Sequence, residues 1–398
     1  MISEAKDTSE LMVDLAYAAV YFGDPQMADE VEELEERLTA LVHDMRAVCV
    51  LAARAPREAD AMSSVLQVVS SIEHIGNAAV DIAHIVTHRV GIPRELVADL
   101  SEAEEISHRV LLRDGSHFAH RVLKDFELPV AVGMRVVAIH RGREWITDVD
   151  GDEILLPGDV LFLHGSPAGI PRLRQLAGAE EWRPPEVPEQ VITTDLDRAI
   201  DVLVEMKNIS TTCVGLAWSA LVLRDTGLAA EVSHLEDRLD EMKERLEVWV
   251  LRSATDSLDP SPLRGLLHLS QAAEDLGDAA QQMVWMVEKQ EEVHPILSIA
   301  LGDADETVVR LPVKDGCRLD GASLAEAQLD IDPGFHVLAV RRGGRYAYRP
   351  RGQFRLHASD ELIASGPSEG EPLLAELCGW RLVEDDETGE DRLEPAEV

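Results

Sequence analysis

Residue n of this chain matches residue n+201 along most of its length with no gap. Between residues 13–41 and 214–242 the match is identical at 12 of 29 positions, among them Leu34 and Leu235, Arg37 and Arg238, Leu38 and Leu239. The same offset pairs Gly76 with Gly277, Gly133 with Gly334, Gly142 with Gly343, Asp159 with Asp360 and Gly165 with Gly366. One register that survives helical, extended and turn segments implies a duplicated unit of about 180 residues, each copy with two parts.

The first part of each copy reads as helix. Leu34, Leu38, Leu41, Met45 and Val48 recur at steps of four and three, the seam of a long helix. Asp24-Pro25 marks its start, because proline suits the first helical turn. A shorter helix precedes it, with Leu11, Leu15, Ala18 and Phe22 on one face. A third follows over residues 56–87, with Val65, Val68, Val69, Ile72, Ile75, Ala79, Ile82 and Val86 inward, so the expected unit is three antiparallel helices. After Pro93 the period changes to two. A short helix over 95–105 leads to strands over 134–140, 144–149 and 159–164 joined by Gly-containing turns, a small α+β module. The expected fold class is therefore α+β and multidomain: helical units at 1–92 and 193–293, α+β modules at 93–177 and 294–379, a Pro-rich linker at 178–192 and an acidic tail at 380–398. The tail beyond Glu384 is expected to be disordered.

The formal charge of −38 comes from 75 acidic residues against 37 basic ones, of which only six are lysine. A solvated acidic surface that avoids lysine suits molar salt, where the Debye length shrinks to ~3 Å and self-repulsion is screened. This points to a halophilic, archaeal cytosol; acidity directed at one partner is the alternative. Either way the field disfavours nucleic acid. No apolar run reaches 18 uncharged residues and the first ten residues lack signal-peptide character, so a cytoplasmic protein is expected, reaching a membrane only through a partner. The offset matches none of Cys49, Cys213, Cys317 and Cys378 with another cysteine, which reads as core filling.

The α+β stretch resembles the C-terminal ligand-binding module of RCK/TrkA proteins, which regulate potassium channels and transporters. The residues that carry the resemblance are Gly133, Val136-Val137-Ala138-Ile139, Arg141-Gly142, Leu156, Gly158-Asp159, Leu161 and Gly165-Ser166. The second copy reads Gly334, Val337-Leu338-Ala339-Val340, Arg342-Gly343, Ser359-Asp360, Leu362 and Gly366, with serine replacing the turn glycine. The helical units resemble halves of PhoU-type proteins, whose Glu-x-x-x-Asp motif stands here as Glu274 and Asp278, and as Glu73 and Asn77 in the first copy. No GxGxxG nucleotide-binding half is present. Together the resemblances imply an ion-transport regulator: a sensor with no pore of its own, acting on a membrane cation channel or transporter.

Two candidate sites follow. Residues 341–355 hold six arginines, two tyrosines and a phenylalanine in an otherwise acidic chain. Guanidinium forks suit phosphate and aromatic rings suit bases. In RCK-type modules the ligand, often cyclic di-AMP, lies between two modules, and the resemblance points to Arg341, Arg342, Tyr346, Arg349 and Pro350. The alternative reading is electrostatic. The offset sets Arg345 against Glu144, Arg349 against Asp148 and Arg351 against Asp150, inversions that could bridge an internal pseudo-dimer. On the helices, Glu274 and Asp278 share a face and could hold a metal, with the first-copy site weakened by Asn77. His84 and His88, also four apart, read as a polar helix edge. With no catalytic constellation in sight, the expected function is regulatory and not enzymatic, sensing a small ligand to control potassium or other monovalent cation transport. A PhoU-like adaptor in phosphate signalling is the rival.

Overall fold

The computed structural model describes residues 1–52, 56–100, 103–147, 149–182, 194–256, 260–290, 294–301, 304–384 and 391–396. Three long helices open the chain: α1 (Ile2–Phe22), α2 (Pro25–Ala52) and α3 (Pro56–Thr87). Gly23 ends α1 in the left-handed conformation that glycine adopts without strain, and the Asp24 carboxylate accepts the Gln26 amide at 3.0 Å to cap α2. The buried stripe of α2 is Val31, Leu34, Leu38, Val42, Met45 and Cys49. Val48, expected in the seam, is 56% exposed, because the straight helix drifts off a strict seven-residue repeat and presents Cys49 instead.

The first module comprises α4 (Arg94–Asp99), β1 (Ile106–Leu111), β2 (Arg121–Val122), α5 (Leu128–Val132), β3 (Met134–Arg141), β4 (Glu144–Ile146), β5 (Ile154–Leu155), β6 (Val160–Gly165) and α6 (Ile170–Leu176). The second copy repeats the plan with α7 (Asp195–Leu223), α8 (Thr226–Asp256), α9 (Leu263–Glu288), α10 (Ile296–Leu301), β7 (Glu306–Pro312), α11 (Leu324–Ala327), β8 (His336–Arg342), β9 (Arg345–Tyr348), β10 (Glu361–Pro367) and α12 (Glu371–Leu377). Each module holds an antiparallel sheet, in order β1-β6-β3-β4 and β7-β10-β8-β9, so the two orders correspond strand for strand. The first strand of each sheet escaped the sequence reading, since its alternation is short and follows a helix directly.

Two corrections concern the boundaries. The short helix ends at Asp99 and not near residue 105. The chain after α12 forms a hairpin of β11 (Trp380–Glu384) and β12 (Asp391–Pro395), where a disordered tail was expected. Leu382 faces Leu393 in that hairpin, both packed on the second module's core, so apolar cross-strand pairing orders an acidic segment. Most of the linker expected at 178–192 lies outside the described residues.

The six long helices form one body. Within each copy the three helices pack on one another, and α3 packs on α9 to join the copies. Gly76 and Gly277 make the crossings tight: a Cβ on either would strike Leu38 or Leu239 at about 2.6 Å or less. Each sheet is two-faced, as period-two strands require. Ile139, Leu161 and Leu163 face the first module's own core, whereas Ala138 and Phe162 face the helical body. Val137 and its mate Leu338 are extra residues in their ladders, and these β-bulges turn both side chains onto the helices. The modules meet each other at Gly133 and Gly334, both with positive φ; a side chain at Gly133 would collide with the Asp330 carbonyl, and one at Gly334 with the Pro129 carbonyl. These contacts are mates under the 201 offset, so the chain forms an internal pseudo-dimer.

Candidate ligand site between the paired modules

A cavity of about 1230 Å³ lies where the two modules, α1 and α7 converge. Lys6 on α1 and Lys207 on α7 line it, at 3% and 5% exposure. They are the lysine pair related by the offset, and each reaches into the other copy. Lys6 Nζ lies 5.9 Å from the Trp218 ring centre and Lys207 Nζ lies 5.4 Å from the Tyr17 ring centre. Trp218 and Tyr17 are themselves mates. Cation–π contact of this kind favours a buried ammonium without neutralising it.

Around Lys6 the charges are dense. Its Nζ donates to Glu10 at 2.7 Å and lies 3.8 Å from Asp7. Arg135 on β3 pairs with Asp14 on α1 and, at 3.4 Å, with Glu306 on β7, tying one helix to both modules. Burial opposes the charge of Lys6, but Glu10, Glu306 and Asp7 outweigh it and raise its pKa. Burial dominates at Glu10, lifting its carboxyl to about 7 against the pull of Lys6. On the other side, Lys207 Nζ donates to the Glu105 carbonyl at 3.0 Å. His164 Nε2 lies 3.5 Å from Asp14 and 3.7 Å from Glu105; the ring is buried and neither nitrogen has a hydrogen-bond partner among the described residues. Burial works against the Glu105 carboxylate, yet His164, His336 and Lys207 hold it well below the usual range. Lys207 is pushed down, by burial foremost, because Glu105, Asp14 and Glu104 compensate it only in part.

The arginine-rich strand pair lies elsewhere, since none of Arg341, Arg342, Tyr346, Arg349 and Pro350 lines this cavity. Arg342 grips the buried Asp360 with two bonds of 2.6 Å and donates to the Arg355 carbonyl. Its mate Arg141 holds Asp159 at 2.9 and 2.8 Å in the same way, so this staple belongs to the module fold. Arg341 pairs with Glu361 at 2.9 Å and stands over Tyr346. Tyr346 donates its hydroxyl to Asp225 at 2.5 Å, and Arg310 pairs with the same carboxylate. Arg349 reaches Glu205 on α7 at 3.2 Å and Glu104 of the first module at 3.4 Å. Pro350 follows at the end of this edge, half-buried. The strand pair thus joins its module to the helices. Of the three charge inversions, Arg345–Glu144 and Arg351–Asp150 form no ion pair among the described residues, and Asp148 lies outside them.

Glu274 and Asp278 are on α9 facing α8. Glu274 accepts from Lys243 at 3.2 Å and from Gln271 at 2.6 Å. Asp278 faces Glu236, whose carboxyl is lifted to about 7 by burial and then by Asp240 and Asp278. In the first copy Glu73 is taken by Arg46 at 2.6 Å. His84 and His88 stack at 4.6 Å, with Glu32 at 3.6 Å from His84. Among the described residues no three metal-ligating side chains converge.

The sequence reading missed Lys6, Lys207, Arg135, His164, Glu105 and Glu306. A signal existed: with six lysines in 398 residues, one pair in register at 201 is informative.

With this geometry established, comparison with known families identifies the units. The PhoU domain matches residues 2–86 and 203–288, and the TrkA-C domain matches residues 108–178 and 308–379. The chain is a duplicated PhoU and TrkA-C protein, each copy a PhoU domain followed by a TrkA-C domain. These domains support a regulatory role linked to potassium transport or to phosphate signalling. Similar solved structures include PhoU from Pseudomonas aeruginosa, at 14% identity and a TM-score of 0.39 over 72% of this chain and 91% of that one. The GsuK RCK domain matches at 15% identity and a TM-score of 0.18 over 77% and 78% of the two chains. The GsuK channel bound to NAD matches at 14% and 0.18, over 69% and 53%. Superpositions that low carry no argument about function. A comparison with curated proteins finds no significant match. No helix among the described residues is long and apolar enough to cross a membrane.

Proposed function

We propose that this protein is a cytoplasmic regulator of monovalent cation transport, above all of potassium. In this reading it senses a small anionic ligand such as cyclic di-AMP between its paired TrkA-C modules and acts on a membrane channel or transporter without turning the ligand over. The observation that carries it is the cavity itself: two modules and the first helix of each PhoU domain close on it, so a ligand there touches every unit of the chain. Arg135 ties α1 to both modules, and an occupant that displaced its carboxylates would be felt in the helices. Ligand shifts the regulator only to the degree that it prefers one arrangement of modules over another.

Calorimetric titration with cyclic di-AMP in molar KCl tests this, with AMP and ATP as controls and the nucleotide recovered afterwards. Saturable heat selective for the cyclic dinucleotide, recovered intact, supports the sensor; no heat with cyclic di-AMP rejects that ligand. A phosphate-signalling adaptor is the second reading, favoured by the Glu236 and Asp278 pair on the PhoU helices. Metal retained through purification and lost in Glu274→Ala would select it.

A further inference from the structure

The cavity is built on a pseudo-twofold, but its two halves differ in one consistent direction. The Lys6 half has Asp7, Glu10 and Asp14 on α1; their mates on α7 are Asn208, Thr211 and Gly215. Three carboxylates on one side thus face an amide, a hydroxyl and a bare backbone on the other. Arg135 is replaced by His336, whereas Glu105 and Glu306 are retained as mates. Two lysines in equivalent places therefore shift in opposite directions, Lys6 up and Lys207 down. The Lys6 half carries more negative than positive groups and is internally paired. In the Lys207 half a buried ammonium and a buried imidazole have three carboxylates near one or both of them: Asp14, which Arg135 shares, Glu104, which Arg349 takes at 3.4 Å, and Glu105, whose side chain is 41% exposed.

We infer that the Lys207 half of the cavity is a one-sided phosphate site, taking a single phosphate group, free or carried on a small molecule, onto Lys207, His164 and Asn208 in the place now held by the Glu105 carboxylate. This rests on the sensor reading above and sharpens it. An ammonium, a ring N–H and an amide suit a tetrahedral oxyanion, and Glu105 is exposed enough to swing aside. His164, His336 and Lys207, which favour the charged form of Glu105, supply the field a phosphate would use. The Lys6 half repels a second phosphate, so even a ligand with twofold symmetry is held off-centre and binds once per chain.

The test titrates the full chain in molar KCl with inorganic phosphate, AMP and cyclic di-AMP in separate arms, read by calorimetry and by phosphorus NMR. The expected result is one phosphate group bound per chain. Asn208→Asp with Thr211→Glu, which copies the Lys6 half onto the Lys207 half, should weaken binding at least tenfold with the melting temperature held. Lys207→Met, read the same way, gives the same loss by removing the cation instead. Binding of inorganic phosphate assigns a free-ion site, and binding of AMP or cyclic di-AMP alone assigns a carried phosphate; both support the inference if the double variant loses them. Two phosphates per chain, or cyclic di-AMP bound equally by wild type and double variant, overturn the one-sided site while the sensor reading stands. No binding in any arm overturns both.

Discussion

The two copies fasten their sheets to their helices at equivalent places with different chemistry. In the first copy Arg109 lies 5.1 Å over the Phe22 ring, Phe22 packs edge-on against Phe162, and Trp145 lies 5.0 Å from Phe162. The mates of Phe22 and Phe162 are Leu223 and Ile363, so this aromatic cluster has no counterpart. In the second copy Arg310 and Tyr346 converge on Asp225, and Tyr348 donates to the Gly227 carbonyl at 2.9 Å. Asp225 also caps α8, accepting the Gly227 and Leu228 amides at 2.8 and 3.1 Å. Its mate Asp24 caps α2 without further partners of this kind. A true homodimer must use each residue twice; a fused pair is free to specialise each half, and here one joint became apolar and the other polar. What both copies retain is what the modules need: the Arg141–Asp159 and Arg342–Asp360 staples, and the glycines where the modules meet.

If the glycine contact is what holds the pseudo-dimer, breaking it is the largest effect available. Gly133→Val combines a positive φ with a collision against the Asp330 backbone, neither of which side-chain motion relieves. A loss of more than about 3 kcal/mol is expected, read by denaturant unfolding. Gly142→Ala is the control, with positive φ but open space, and should cost about 1 kcal/mol. Equal losses would mean that backbone strain alone matters and the module contact contributes little.

The difference between the joints predicts the next effect. Asp225→Ala removes a helix cap and strands the partly buried Arg310, so about 2–4 kcal/mol should be lost. Asp24→Ala removes only a cap and should cost about 1 kcal/mol. Equal costs would show that the polar joint adds nothing to the cap. Tyr346, whose hydroxyl burial and then Asp225 lift to about 12, should titrate late in wild type and earlier in Asp225→Ala.

Much of this architecture was legible because duplication doubles every signal. Helix periods of 3.6, the change to period two after Pro93 and paired glycines each appear twice in one register. The α3 boundaries, residues 56–87, agree with the structure because Pro56 opens that helix and its apolar stripe runs unbroken to Val86. The cavity was less legible because its charged residues are few and scattered, among other places, over α1, β3, β6, β7 and α7. Composition drew attention to residues 341–355 instead, where arginine stands out in an acidic chain. Their partners Glu361, Asp360, Asp225 and Glu205 are single acids among 75, and nothing in a linear reading marks which of them an arginine meets.

The smallest effect concerns pH and sharpens the contrast between the PhoU domains. In the first, position 77 is Asn, and Glu35 faces no acidic mate of Asp278; in the second, Glu236 and Asp278 face each other across α8 and α9. Raising Glu236 to about 7, above its ordinary 4.5, means that the folded protein holds a proton the unfolded chain has released. Stability from this group is therefore fully present below about pH 4.5, falls as pH rises towards 7, and stays low above it. Glu236→Gln imitates the protonated side chain and keeps an oxygen to accept from Gln281. It should raise stability by about 1 kcal/mol at pH 8 and leave it unchanged at pH 4, as read by paired urea titrations. A gain at both pH values would locate the effect in packing, whereas a loss at pH 8 would show that the charged pair is stabilised there by a bound cation and would move the metal question to the second PhoU domain.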